Sequence, residues 1–254
     1  MSERPPSRAA AVALPVAGAL SILAAWQILL PALGVPAFIV PTPSAIAATV
    51  VRDWRLLLDN AVPTAIESGL GFLAGNAAAI LCAVAFVYGR RLQRAYFPVI
   101  LFFNTIPILA LAPIIVLVFG LGLLPKVIIS AIVCFFPTLV NMIRGLDLAT
   151  RSEHELMRVL SASPAEVFWR LRVPRSLPLL FASLRIASTT AVIGAIVGEW
   201  IGSNKGIGAL IIQSTFNYQS DRLYAAVFAS SALALAFFGV VAATEARVLR
   251  WQRG

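Results

Sequence analysis

Long uncharged apolar stretches alternate with short polar segments along this chain. Because about 20 apolar residues cross the hydrocarbon core of a bilayer as a helix, each long stretch is a candidate transmembrane span. In the first apolar stretch, the prolines that follow residue 33 should end the helix near that residue. The pattern predicts about six spans, at residues 9–33, 68–89, 95–125, 127–143, 180–201 and 223–244. The fifth stretch is interrupted by Arg185 and Glu199, and the count falls to five if it is re-entrant.

The composition supports a membrane location. The 254 residues are 60% hydrophobic and only 12% charged, with a mean hydropathy of +0.90. A soluble core of this size could not hide so much apolar surface. Arg4 and Arg8 precede the first span, as in a signal peptide, but its apolar part is too long for a typical signal, which favours an uncleaved helix. We therefore predict an all-α integral membrane protein.

The chain has a net charge of +9, and the positions of its arginines relative to the spans determine the predicted orientation. The arginines occur in short clusters between apolar runs instead of lining one groove, which argues against a nucleic-acid partner. If the spans alternate in direction, most arginines lie on one side of the membrane. The other side has only Arg52, Arg55, Lys126, Lys205 and Arg222. The positive-inside rule then places both termini in the cytoplasm. The cytoplasmic arginines are Arg4, Arg8, Arg90, Arg91, Arg94, Arg144, Arg151, Arg158, Arg170, Arg172, Arg175, Arg247, Arg250 and Arg253.

The cytoplasmic loop between spans four and five, at about 144–177, carries two helix-start patterns. Ser152 followed by Glu155 has the form of a capping box, and Ser163-Pro164-Ala165-Glu166 repeats it with a proline at the first helical position. Two short helices should meet at Ser161-Ala162, the second ending before Pro174. A cytosolic loop would not normally expose several apolar groups together, so either the chain's own helix ends or a partner should cover Leu160, Val167, Phe168, Trp169 and Leu171.

This loop resembles the signature of the membrane permease subunits of type I, binding-protein-dependent ABC importers. The family pattern is Glu-Ala-Ala, three residues, Gly, nine residues, then Ile-x-Leu-Pro. Here Glu155-Leu156-Met157, Ser161 and Leu171-Arg172-Val173-Pro174 have the same spacing. Ser161 replaces the glycine, and a left-handed backbone at a serine costs about 1 kcal/mol. Either the turn is made differently, or neighbouring contacts hold it.

Further segments extend the resemblance over about residues 41–249. They are similar to the subgroup that serves nitrate, sulfonates, taurine and thiamine-precursor pyrimidines. Several segments in the family's order are a stronger signal than one degenerate signature. They read PTPSAI at 41–46, IPILALAPIIVLVFGLG at 106–122, FFPTLVN at 135–141 and GEWIGSNKGIGALI at 198–211.

The resemblance implies a division of labour between chains in a bacterial cytoplasmic membrane. Residues 9–249 would form one permease domain of six transmembrane helices, with tails at 1–8 and 250–254. Two copies would form the pathway, a solute-binding protein would deliver the solute, and a cytoplasmic ATPase dimer with ATP and Mg²⁺ would supply the energy. The residues implied in ATPase coupling are Glu155, Ser161, Ser163, Pro164, Ala165, Glu166, Phe168 and Pro174.

The sequence itself offers no catalytic or metal site. The segment GSNKGIG at 202–208 lacks the spacing of a phosphate-binding loop, so we expect no cofactor in this chain. Cys82 and Cys134 lie singly in apolar runs, and His154 has no second ligand at a suitable spacing. A membrane enzyme would need a clustered nucleophile, base or metal set. We therefore predict a transport subunit that is not an enzyme.

Ionisable groups in or near spans are candidates for contact with the solute, since each is costly there unless paired or hydrated. Glu67 and Glu199 either lie at the outer interface, or one of them faces the central pathway and contacts the solute or the binding protein. Arg185 should reach the cytoplasmic surface or pair with a carboxylate.

Prolines and glycines within spans give two further predictions. Pro107 and Pro113 should kink or break the third span, which makes it a candidate for the pathway wall. Gly71 and Gly75 form a GxxxG pattern that favours close helix packing. We expect this packing within one subunit in preference to the interface between two copies.

The substrate is less closely defined than the transport class. Pathway carboxylates and the scarcity of outer basic residues favour a thiamine-precursor pyrimidine or a riboflavin-like heterocycle. Sulfonate, taurine or nitrate is the alternative. An ATP-independent secondary transporter is a further alternative, although it would need its own coupling charges or an inverted repeat.

Overall fold

The computed structural model describes residues 8–250, and the structured elements within this range are helical. The predicted tails, 1–8 and 250–254, lie almost wholly outside the described residues. A short π-helix, Phe168–Arg172, joins α8 to α9. The helices are α1 (Arg8–Ala32), α2 (Pro43–Arg52), α3 (Trp54–Tyr88), α4 (Arg90–Asn104), α5 (Ile108–Phe119), α6 (Leu123–Leu146), α7 (Arg151–Val159), α8 (Pro164–Val167), α9 (Val173–Glu199), α10 (Ile207–Phe216) and α11 (Ser220–Val248).

Four helical segments in the described range are long and apolar enough to cross a membrane, and the bent pair α4–α5 makes five. The four are α3, α6, the continuous segment Pro164–Glu199, and α11. The first predicted span, 9–33, corresponds to α1, Arg8–Ala32. The predicted fifth span is not re-entrant, because α9 runs through without a break. The short α10 that follows it was not predicted.

The third predicted span is broken, as its prolines indicated. The axes of α4 and α5 meet at 100° across the break. Pro107 stands immediately before α5 with an extended backbone, where its missing N–H costs no helical hydrogen bond. Pro113 lies inside α5 and does not interrupt it.

Helix α6 packs closely between α3 and α9, because small residues face it from both sides. A Cβ atom added to Gly71 would lie 2.4 Å from the Ser130 side chain, and one added to Gly75 would lie 2.4 Å from the Ala131 carbonyl oxygen. On the other side, a Cβ at Gly194 would lie 2.7 Å from Ser130 Cα. The GxxxG pattern therefore packs within one subunit, as predicted.

Two buried hydroxyl groups of α6 form hydrogen bonds with neighbouring helices. Ser130 Oγ donates to the Ala191 carbonyl at 2.9 Å, and Thr138 Oγ1 donates to Asn76 Oδ1 at 2.6 Å. Such pairing removes the cost of burying a hydroxyl in an apolar environment. These bonds fix α6 against both α9 and α3.

Charged groups gather at the two ends of α3, as the alternating-span prediction requires. At one end, Arg90 pairs with Asp147 at 3.1 Å. At the other, Asp53 accepts hydrogen bonds from Arg52 at 3.1 Å and Arg222 at 2.9 Å. The Arg52 guanidinium, followed by that of Arg222, holds the pKa of Asp53 below its usual range. The two clusters mark the expected cytoplasmic and outer ends of the bundle.

Arg185 forms an ion pair within the bundle. Its Nε atom lies 3.2 Å from Glu245 Oε2, on α11. This confirms the pairing alternative for Arg185, and it shows that a charge within a span is compensated by a carboxylate from another helix.

Candidate coupling element and outer polar cluster

Helix α7 begins two residues earlier than the sequence pattern suggested. Thr150 is the N-cap: its Oγ1 accepts the Glu153 N–H, and Glu153 Oε2 accepts the Thr150 N–H at 2.8 Å. The predicted capping box of Ser152 and Glu155 is therefore wrong, because Thr150 and Glu153 satisfy the same spacing. Glu153 also pairs with Arg175, and the Thr150 N–H followed by the Arg175 guanidinium holds the pKa of Glu153 below its usual range.

Glu155, the signature glutamate, therefore does not cap the helix. It lies on the exposed side of α7, where Arg151 Nε donates to its Oε1 at 3.0 Å. An exposed pair of this kind contributes little to stability. The carboxylate of Glu155 is thus accessible to another chain.

The turn after α7 is the one that the family pattern predicts. Ser161 has a left-handed backbone with φ of 51°. The Ser161 N–H donates to the Arg158 carbonyl, and the Ala162 N–H donates to the Met157 carbonyl, each at 2.9 Å. This is the hydrogen-bond pattern of a Schellman motif, which ordinarily has glycine at this position. Neighbouring hydrogen bonds therefore hold the serine in its strained conformation.

We expect Ser161→Gly to stabilise the end of α7 by about 1 kcal/mol, because glycine adopts the left-handed conformation without strain. Hydrogen exchange of amides 151–159, followed by mass spectrometry, should show slower exchange. Ala162→Gly is the matched control, since the backbone of Ala162 is not left-handed, and glycine there should speed exchange. Equal slowing in both variants would show that strain at Ser161 is not the cause.

Helix α8 begins as predicted but does not end before Pro174. Ser163 Oγ accepts the Glu166 N–H, Glu166 Oε2 accepts the Ser163 N–H at 3.0 Å, and Pro164 occupies the first turn next to Ala165. The helix then continues through the π-helix into α9. Within that π-helix, the Val173 N–H donates to the Phe168 carbonyl five residues earlier. A widened turn accommodates the proline ring, so the predicted break at Pro174 is wrong.

The chain itself covers some of the apolar side chains in this region and leaves others exposed. Phe168 packs against Tyr88, with ring centroids 5.9 Å apart, and joins the core. Trp169, in contrast, is 67% exposed. Leu156, Val159 and Leu160 on and after α7 are also exposed. We call these four exposed residues, Leu156, Val159, Leu160 and Trp169, the apolar patch.

At the opposite end of α9, the two candidate pathway carboxylates meet in one buried cluster. Glu67 and Glu199 are only 3% and 1% exposed. Lys126 Nζ donates to Glu67 Oε1 at 2.7 Å and to Ser203 Oγ at 2.8 Å. Both carboxylates are therefore buried inside the subunit and do not lie on its surface. The sequence could not reveal this, since Glu67 and Lys126 are 59 positions apart.

Glu199 and Thr64, the other part of this cluster, form hydrogen bonds with the start of α10. Glu199 Oε1 accepts from Thr64 Oγ1, and its Oε2 accepts the Gly208 N–H, both at 2.6 Å. Thr64 Oγ1 in turn accepts the Ile207 N–H at 2.9 Å. A side chain at Gly206, whose φ is 121°, would collide with Glu199. We call Glu67, Lys126, Glu199 and Thr64 the outer polar cluster, and its arrangement fixes α10 against α3 and α9.

The bent pair α4–α5 borders an apolar groove of about 660 Å³. The groove is lined by residues such as Ala78 of α3, Phe103 of α4, Leu111 of α5 and Phe135 of α6. Pro107 lies at the bend and Pro113 within α5. A pathway role for these two prolines stays a prediction.

Comparison with known proteins identifies the family. Residues 75–250 match the family described as binding-protein-dependent transport system inner membrane component. The chain belongs to this family. It is 32% identical over 235 residues to the formylaminopyrimidine transport permease protein ThiX of Halalkalibacterium halodurans, covering 92% of this chain and 94% of ThiX. It is 29% identical over 247 residues to the riboflavin transport system permease protein RibX of Chloroflexus aurantiacus, covering 95% and 91%.

A solved structure supports the fold of this permease. The MetNI methionine ABC transporter, in an inward-facing conformation, matches with a TM-score of 0.58 over 80% of this chain and 97% of the solved chain. The sequence identity is 18%, so this likeness concerns the fold alone. The permease is thus a multi-pass membrane subunit of an ABC importer for a small solute, and its relatives form a transport family. Its type I fold implies ATPase and binding-protein partners.

Proposed function

We propose that two copies of this permease form the pathway of an ATP-driven importer in a bacterial cytoplasmic membrane, with lipid around them. A solute-binding protein delivers the solute from outside, and a cytoplasmic ATPase dimer binds ATP and Mg²⁺. The observation that carries this proposal is the apolar patch beside a capped, rigid turn. Exposed aromatic and aliphatic groups on an element predicted to be cytoplasmic favour a protein partner.

Coupling to the ATPase would use the segment from α7 to the start of α9. Glu155 and Trp169 present their side chains outward, whereas Phe168 joins the segment to the membrane core through Tyr88. Two capping interactions and the Schellman turn at Ser161 give the segment a fixed shape before any partner binds. Preorganisation of this kind lowers the entropic cost of association.

The pathway wall would include one face of α9. Between Phe181 and Trp200, only Ile186, Ile193 and Trp200 are exposed. Their spacing of seven residues places them on one face of the helix. α9 is otherwise enclosed by α3, α6, α10 and α11, so this face is the part of the helix that another copy or a passing solute can reach.

We propose a thiamine-precursor pyrimidine or a riboflavin-like heterocycle as the solute. The names of ThiX and RibX support this class, since each aligns over more than nine-tenths of this chain. A sulfonate, taurine or nitrate is the alternative that the sequence leaves open.

Association with the ATPase tests this proposal. We expect Trp169→Ala to weaken binding of the partner ATPase about tenfold, as for a truncated interface aromatic, and to lower ATP-dependent uptake in proteoliposomes. Glu155→Ala and Phe168→Ala should act in the same direction. Pull-down with the purified ATPase measures the first effect, and uptake of labelled solute measures the second.

Trp54→Ala is the matched control, because Trp54 is also exposed but lies at the other end of α3. It should leave ATPase binding unchanged. If Trp169→Ala binds the ATPase as tightly as Trp54→Ala does, the apolar patch is not the docking surface. If uptake by the wild type proceeds without ATP, the secondary-transporter alternative is correct.

A further inference from the structure

A cleft of about 450 Å³ opens beside the outer polar cluster, between the end of α9 and the exposed side of α10. Two aromatic side chains, Trp200 and Phe216, contribute to its lining. Asn204, Gln213 and Asn217 add three side-chain amides, and all five of these residues are exposed. The volume lies within the range of small-molecule sites, about 300–1,000 Å³. Aromatic faces together with amides are suited to a flat ligand that also forms hydrogen bonds.

The side chains that line the cleft offer no cationic group to an anionic ligand. The described residues that line it include Glu199 but no lysine or arginine. The nearby Lys126 ammonium is already engaged by Glu67 and Ser203. Exposed Lys205 follows Asn204 in the chain but is not one of the lining residues, so an anion bound in the cleft would find no lysine or arginine side chain in its walls. The lining suits a neutral or weakly basic ligand whose N–H groups and ring nitrogens the amides can satisfy.

The walls of the cleft are held in place before any ligand arrives. Glu199 accepts the Gly208 N–H, and Thr64 accepts the Ile207 N–H, so the start of α10 is bonded to α9 and α3. Gly206 also donates its N–H to Asn60 Oδ1 at 2.9 Å. A site on anchored elements keeps its geometry better than one on a free loop.

The cleft also lies where a passing solute would meet it. Trp200 is the outermost of the three exposed residues on the proposed pathway face of α9, the other two being Ile193 and Ile186. The coupling segment is at the opposite end of the same helix. A solute entering along this face from the outer side would contact Trp200 first.

We propose that this cleft is a solute-binding site within the permease itself, and that it takes a planar, neutral or weakly basic nitrogen heterocycle of the aminopyrimidine class. This proposal rests on the importer function proposed above. The ring stacks on Trp200 or Phe216, and the amides of Asn204, Gln213 and Asn217 pair with its polar edge. The permease would then contribute to solute selection in addition to the binding protein.

Direct binding tests the proposal. The complete permease with its partner ATPase is placed in nanodiscs without the binding protein, and labelled formylaminopyrimidine is the probe. We expect saturable binding that Trp200→Ala weakens about tenfold through loss of stacking. Gln213→Leu, which preserves the approximate side-chain size, should also weaken it about tenfold through loss of hydrogen bonds. Ethanesulfonate in excess should not displace the probe.

Trp54→Ala serves as the matched control, because it removes an exposed tryptophan outside the cleft and should leave binding unchanged. The proposal is overturned by unaltered binding in both cleft variants, by displacement with ethanesulfonate, or by the absence of saturable binding in the wild type. ATP-dependent uptake by the wild type with its binding protein is measured in parallel. Loss of that uptake contradicts the importer function, whereas normal uptake with unaltered probe binding contradicts only the cleft.

Discussion

Lys126→Met is expected to lower the free energy of unfolding by about 3–5 kcal/mol, because it leaves a buried carboxylate without its partner. Lys126 Nζ lies 2.7 Å from Glu67 Oε1, and the side chains of Lys126 and Glu67 are only 12% and 4% exposed. Methionine fills a similar volume, so the loss comes from charge and not from a cavity. Equilibrium unfolding in mixed detergent micelles measures the change.

Two further variants isolate the cause of this loss. Glu67→Gln combined with Lys126→Met removes both charges and should recover most of the stability. Arg151→Met breaks the exposed pair with Glu155, whose side chains are 93% and 55% exposed, and should change stability by less than about 0.5 kcal/mol. If Lys126→Met costs no more than Arg151→Met, the buried pair does not stabilise the fold.

Gly75→Ala is expected to cost about 3 kcal/mol, near the upper end for overpacking, because the added methyl group meets backbone atoms. The new Cβ would lie 2.4 Å from the Ala131 carbonyl oxygen and 2.9 Å from its Cα. Backbone cannot rotate away as a flexible side chain can, so α3 and α6 must separate. The same detergent unfolding assay reports the loss.

Gly69→Ala is the matched control on the same helix. Its added Cβ would meet only the Phe237 side chain at 3.8 Å, an ordinary contact. Alanine has a higher helix propensity than glycine, so this variant should be neutral or more stable by up to about 1 kcal/mol. Equal destabilisation by both substitutions would contradict the close packing of α3 on α6.

Features that depend on neighbouring residues in the sequence were predictable. Apolar length identified α3, α6, α9 and α11, since hydropathy alone determines which segments can lie in lipid. The Ser163 cap and the left-handed turn at Ser161 also follow from local chemistry. The cap of α7 was assigned to Ser152 instead of Thr150, because overlapping serine, threonine and glutamate spacings satisfy the same rule.

Features that depend on distant residues were not predictable in this way. Glu67 and Glu199 could be selected as unusual charges, but nothing local indicated that Lys126 and Thr64 would enclose them. Helix α10 has 10 residues, too few to stand out as a span, and its position depends on hydrogen bonds to α3 and α9. The passage of the helix through Pro174 depends on a widened turn that proline does not itself signal.

The helix that runs without a break from Pro164 to Glu199 would act as a lever if its first turns bind the ATPase as proposed. Its 36 residues span about 54 Å, so a tilt of roughly 10° about its centre would move each end by about 5 Å. Because the helix has no loop to absorb the motion, displacement at the ATPase end would reach Trp200 in the opposite sense. Movement of the ATPase at one end of the helix and opening of the cleft beside Trp200 at the other end would then occur together.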